Sequence, residues 1–235
     1  MAPSRSYRDA GVDLDAAGAA LSGIRDAVES TYTPRVIRGL GAFGGLFRAG
    51  DLPERPVLVA TTDGVGTKTR VAAALGRWRG IGRDLVNHCV DDVLVQGAAP
   101  LFFLDYVASS RLEPAVVGEL VGGMAAACRE AGAALLGGET AEMPGVYAAG
   151  EVDVVGTLVG VVSEDRLLDG SRIREGDALL GLASGGLQTN GFSLARSVLE
   201  DRLEMEMPDG RTAGEHLLDE RRSFLPAVAP RLEAG

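Results

Sequence analysis

Lysine is almost missing from this chain: Lys68 is the only one, and every other of the 23 basic residues is arginine. A composition that writes arginine wherever positive charge alone suffices gives its single lysine a narrower task. An ammonium is a compact point charge on a flexible stem, whereas guanidinium is a wide planar fork. Cysteine is nearly as scarce. Cys89 and Cys128 lie far apart among apolar neighbours, which reads as two buried free thiols and excludes a disulfide framework. With only His88 and His216, a multi-histidine zinc site is excluded, and no G-x-S-x-G elbow offers a serine nucleophile. No apolar run reaches membrane-spanning length, and the first residues carry no apolar core of a secretory signal, so a soluble, cytoplasmic protein is expected. A net charge of −10, with 33 acidic residues, argues against a nucleic-acid surface but leaves room for a local anion site.

What is present is a chain of 235 residues, 46% hydrophobic, long enough for one large domain or two small ones. Residues 1–50 are rich in glycine and small residues, ending in Gly39–Phe47, and read as a segment with a mobile stretch that orders over a ligand. From Pro56 strands and helices alternate. Strands are expected at Val57–Thr61, Leu101–Ala108, Ala133–Leu136 and Val152–Val162, and helices at Asp84–Gln96 and Pro114–Gly132. This gives an α/β (α+β) chain with a domain over 51–168. A polar stretch, Asp169–Asp177, marks the boundary to a second domain over 169–235, which opens with a strand at Ala178–Ala183.

Three constellations carry chemistry. The first is Thr61-Thr62-Asp63-Gly64-Val65-Gly66-Thr67-Lys68, directly after an apolar strand. Glycines let backbone N–H groups approach an anion, Asp63 can hold a divalent cation facing the same phosphates, and Lys68 can neutralise them. The loop is read as the phosphate end of a nucleotide site, with Gly64, Gly66, Thr67 and Lys68 as cofactor-binding residues. The second joins Asp92, on the seam of the Asp84–Gln96 helix, to Glu139 and Glu142 in Gly137–Gly145 at the exit of a strand. Asp63, Asp92 and Glu139 are expected to form an oxygen cage for magnesium, with Gly138, Thr140 and Glu142 on the nucleotide. On that helix Asp84, Asn87, His88 and Asp91 form the polar face, and His88 is read as a surface histidine without a role. The third is Ser184-Gly185-Gly186-Leu187-Gln188-Thr189-Asn190-Gly191 before a helix at Phe192, read as a second anion pocket for the substrate, with Thr189 or Asn190 capping the helix.

These segments, together with Ser6–Asp13 and Val95–Tyr106, resemble the aminoimidazole ribonucleotide synthetase family, also called phosphoribosylformylglycinamidine cyclo-ligases, over nearly the whole chain and in the same order. The resemblance implies a two-domain fold whose N-terminal domain is complete here and whose second domain is truncated, since family members continue past Gly235. It implies ATP-dependent ring closure of formylglycinamidine ribonucleotide in purine biosynthesis, with ATP and Mg2+. Lys68, Asp63, Asp92 and Gln188 would be catalytic; Ser184, Gly185, Thr189, Asn190 and Gly191 would bind substrate. It also implies a homodimer, with no nucleic acid and no membrane. Thiamin-monophosphate kinase and selenide-activating kinases share the implied fold, and an inactive nucleotide-binding fragment is a further alternative. Gln188 stands where the family commonly has histidine, Asp91 where asparagine is usual, and Arg25 where lysine is expected.

Overall fold

The computed structural model describes residues 13–233. Of the motif at Ser6–Asp13, all but Asp13 lies outside the described residues. The first helix, α1 (Leu14–Glu29), occupies part of the segment read as mobile. The side chain of Asp13 caps it by accepting from the backbone of Asp15 and Ala16. Ala20, Ile24 and Val28, at helical spacing, are buried and carry the helix onto the core. That stripe was readable in the sequence, but the glycines around it masked it. A short hairpin follows, β1 (Val36–Arg38) with β2 (Leu46–Phe47).

The centre is a four-stranded mixed sheet in the order β3-β6-β4-β5, built from β3 (Pro56–Gly64), β4 (Ala99–Ser109), β5 (Ala134–Glu142) and β6 (Val152–Ser163). β4 and β5 are parallel, and β6 runs antiparallel to both β3 and β4. Between β3 and β4 lie α2 (Lys68–Leu75) and α3 (Arg79–Leu94); α4 (Pro114–Ala131) crosses from β4 to β5. Proline at the first turn of α4 and left-handed Gly132 at its end set its bounds as the sequence signals predict.

The helices cover one face of the sheet. Leu85, Phe103, Leu120, Met124 and Leu158 are fully buried there, each contributing about 1.5–3 kcal/mol of burial. α3 and α4 approach backbone to backbone, for a Cβ on Gly82 would lie 2.0 Å from the carbonyl oxygen of Leu120, and one on Gly123 2.0 Å from that of Arg79. The other face is open and apolar, with Leu58 exposed and Phe47 packed on Phe102 at 5.2 Å between ring centroids.

Beyond β6 the chain forms α5 (Phe192–Leu199), α6 (Ala213–Leu217) and α7 (Leu225–Glu233). The strand expected at Ala178–Ala183 is absent. Leu179 and Leu180 are 99% and 87% exposed, since no neighbouring strand among the described residues offers them hydrogen bonds or an apolar cover. The polar face of α3 also differs from expectation. Asp84, Asn87 and Asp91 are buried, because the segment 219–224 lies across them.

Candidate active site

Asp63, at the end of β3, and Asp92, near the end of α3, come together as the sequence predicts, and His88 joins them. One ligand atom from each lies within 4.8 Å of the others. Asp92 accepts from Thr61 Oγ1 at 2.8 Å, so the seam carboxylate finds a hydroxyl as its partner. Asp63 accepts from the backbone N–H of Gly64 at 2.7 Å and faces His88 Nε2 at 3.0 Å. A carboxylate only accepts, so the proton between them sits on Nε2. His88 Nδ1 hydrogen-bonds the Thr189 hydroxyl at 3.2 Å, and Thr189 Oγ1 accepts from Arg221 at 3.1 Å. An unbroken chain of hydrogen bonds therefore runs from Arg221 through Thr189 and His88 to Asp63. His88 was read as a surface residue; its side chain is 12% exposed and it links the first and third constellations.

Glu139 does not join Asp63 and Asp92. In the sheet register Gly64 pairs with Val155, Val155 with Tyr106, and Tyr106 with Glu139, three strand spacings or about 14 Å from the end of β3. Two of the three expected acids are thus brought together, and Glu139 stands apart from them in this arrangement. Glu139 lines a separate cavity of about 230 Å³ with Gly138, Thr140, Asp105 and residues of α1. Glu142 accepts from the backbone N–H of Asp13 at 2.5 Å and of Leu112 at 2.9 Å, tying α1 to the loop before α4.

Lys68 departs furthest from its expected role. It is 1% exposed, and its ammonium pairs with Asp84 at 2.6 Å while donating to the carbonyls of Gln188 at 2.9 Å and Asp219 at 2.7 Å. Two hydrogen bonds to carbonyls and the ion pair with Asp84 enclose the ammonium, which turns it away from a phosphate in this arrangement. Burial pushes the Asp84 carboxyl up to about 6 against the pull of Lys68.

The glycine turn itself keeps its open groups. Gly66 has a left-handed φ of +55°, and Thr67 Oγ1 is buried without a hydrogen-bond partner among the described residues. A buried orphan hydroxyl in the turn that joins Asp63 to Lys68 is the kind of group a phosphate or a hydrated cation satisfies. In the third constellation Gly191, with φ +76°, caps α5 and no side chain does, so neither Thr189 nor Asn190 has the expected capping role. Gln188 adopts a left-handed φ of +57°, and its amide donates to Ser184 Oγ at 2.9 Å. Gly185 stands next to that pair in the same exposed turn. Arg25 pairs with Glu29 along α1, at a distance of 3.3 Å.

The family model described as "AIR synthase related protein, N-terminal domain" matches residues 44–162. The chain is 52% identical, over 97% of its length and 69% of the relative's, to a phosphoribosylformylglycinamidine cyclo-ligase of Gloeobacter violaceus. This chain belongs to the cyclo-ligase family. Another cyclo-ligase, of Desulfitobacterium hafniense, is 50% identical over 97% of the chain and 68% of its own length. Among solved structures, the fold resembles thiamine-monophosphate kinase from Stenotrophomonas maltophilia, with a TM-score of 0.59 at 19% identity, covering 90% of this chain and 64% of that one. It also resembles the hydrogenase maturation protein HypE in complex with ATP, with a TM-score of 0.53 at 22% identity, covering 86% and 56%. These distant likenesses concern the fold, and they agree with the α/β, cyclo-ligase-type architecture. Arg221 was missed as a member of the site, and Thr61 and Asp84, though inside the constellations, were given no role there. Asp84, His88 and Asp91 did form a visible polar stripe at helical spacing, but nothing in the sequence revealed that a distant segment covers it.

Proposed function

We propose that this chain performs the cyclo-ligase reaction: ATP-dependent ring closure of formylglycinamidine ribonucleotide to aminoimidazole ribonucleotide, with release of ADP and phosphate. The observation that carries the reading is the juxtaposition of Asp63 and Asp92, linked through His88 to Thr189 of the 184–191 loop, in a chain half identical to cyclo-ligases. Asp63 and Asp92 would hold Mg2+, an all-oxygen pair that suits a hard cation keeping several waters and substrate phosphates. That ion supplies charge neutralisation on the triphosphate. Gly66 and Thr67 would present backbone N–H groups and a hydroxyl to the phosphates, while the Gly64 N–H is held by Asp63. Ser184, Thr189, Asn190 and the helix start after Gly191 receive the substrate's own phosphate. The formyl oxygen takes the γ-phosphoryl group, a nitrogen of the substrate attacks the activated carbon, and phosphate leaves with that oxygen. The protein's part is positioning and electrostatics, as in phosphoryl transfer generally.

A homodimer belongs to the same reading. The open sheet face gathers Phe47, Leu58, Phe102, Leu104, Leu136 and Val159 around an apolar cavity of about 320 Å³, which a second copy would cover. No helix among the described residues is long and apolar enough to cross a membrane, and we assign the chain to the cytoplasm.

The test is incubation of the chain with Mg2+, ATP and formylglycinamidine ribonucleotide, followed by mass spectrometry. A product lighter by one water, formed only with ATP, is expected. ADP release without that product would discard ring closure in favour of a kinase-type reaction.

A further inference from the structure

A lysine ammonium offers three protons, and burying it without three acceptors is costly. Lys68 is surrounded by one carboxylate, as an ion pair, and two backbone carbonyls that accept its hydrogen bonds. The carboxylate, Asp84, belongs to α3 in the sheet domain. The carbonyls belong to Gln188 and Asp219, more than a hundred residues further along the chain. The remaining Asp84 oxygen accepts from the backbone N–H of Arg221 at 2.5 Å. The Phe192 ring closes another side, its centroid 5.5 Å from Nζ. Every ligand of this ion pair outside α2 and α3 therefore comes from the loop that carries the proposed substrate-binding residues or from the segment just before α7.

The backbone of the loop is bent to serve the contact. Gln188 holds its carbonyl toward Lys68 from a left-handed conformation that a non-glycine residue adopts at a cost. Its side chain turns the other way, to Ser184. Among the described residues, the Lys68 ammonium is the group that donates to that carbonyl.

We propose that Lys68 is a positioning residue: paired with Asp84, it pins the 184–191 loop and the 219–221 segment to the sheet domain in their substrate-receiving arrangement, and it makes no contact with nucleotide phosphates. The proposal rests on the cyclo-ligase reading for the identity of the substrate but not for the pinning itself. It explains why this arginine-rich chain keeps a lysine here. A guanidinium is too wide to meet three converging acceptors at 2.6, 2.9 and 2.7 Å in a closed pocket.

The experiment compares the whole chain with Lys68→Met and with Lys68→Met/Asp84→Asn, by amide hydrogen exchange and by calorimetric titration with MgATP. The double variant removes the uncompensated Asp84 charge, so it supplies the readout if the single variant fails to fold. Exchange in peptides covering 184–191 and 219–224 is expected to rise about tenfold or more while that of α4 stays unchanged, with MgATP affinity within about threefold of the parent. In turnover, KM for the amidine substrate rises and KM for ATP does not. A loss of MgATP affinity of about tenfold with unchanged loop exchange would overturn the proposal and make Lys68 a phosphate ligand. Should the parent chain show no ring closure at all, the proposed function falls, while the exchange comparison still decides the role of Lys68.

Discussion

Arg221 and Asp91 form an ion pair at 3.2 Å in which both side chains are nearly out of solvent, 12% and 9% exposed. Asp91 also accepts from the backbone N–H of Phe224 at 3.0 Å, and burial raises its carboxyl above the usual range. The residue that departs from the family's usual asparagine thus has a charged partner of its own. Arg221→Ala leaves a buried carboxylate with one backbone donor and takes the donor from Thr189. Unfolding free energy is expected to fall by about 3 kcal/mol in denaturant titration. The double variant Arg221→Met/Asp91→Leu should lose less than Arg221→Ala alone, and an equal or greater loss would show that the pair stabilises by more than mutual neutralisation.

Helix packing offers a sharper contrast. Gly82→Ala and Gly123→Ala each drive a methyl to 2.0 Å from a backbone oxygen on the facing helix, which no side-chain rearrangement relieves. Each should cost about 2 kcal/mol or more, as α3 and α4 are forced apart. Gly118, on the same helix as Gly123, has nothing within 4 Å of an added Cβ. Gly118→Ala should stabilise by about 0.5–1 kcal/mol through helix propensity alone. Thermal melts of the three variants separate packing from propensity.

These glycines illustrate what could be read in advance. The strands, α4 with its proline start and glycine stop, and the pairing of Asp63 with Asp92 follow from local pattern, because periodicity and turn chemistry are encoded within a few residues. The burial of Asp84 and Asp91, the enclosure of Lys68 and the bond from His88 to Thr189 depend on contacts spanning 101 to 151 residues. A polar stripe on a helix reads the same whether water or another segment covers it. The place of Glu139 was not legible for a related reason: motif order places it after a strand, but only the strand order β3-β6-β4-β5 puts that strand at the far edge.

Asp105 predicts a pH dependence. Its carboxyl, beside Gly138 in the small cavity under α1, is pushed up to about 7 by desolvation, against an ordinary value of 3.8. The folded state therefore holds this proton more tightly than the unfolded chain. The stability contribution is complete below about pH 4, declines as pH rises toward 7, and is gone above it. Asp105→Asn removes that decline. Its stability relative to the parent should improve between pH 5 and 8 in denaturant titrations, and a constant difference across that range would refute a raised Asp105.

The two-acid site makes a prediction that the three-acid cage does not. If Asp63 and Asp92 share one cation, as proposed, with Glu139 about 14 Å away along the sheet register, the carboxylates should separate into two groups when metal binding is measured without nucleotide. Asp63→Asn and Asp92→Asn are each expected to weaken Mg2+ binding about tenfold, read as competition against Mn2+ by electron paramagnetic resonance, because each removes a charged oxygen ligand from a site with few. Glu139→Gln should leave that affinity unchanged. If it weakens binding as much as the aspartate variants do, the ion is shared between chains, and the carboxylate at the edge of one sheet reaches the site of a second copy across the open apolar face.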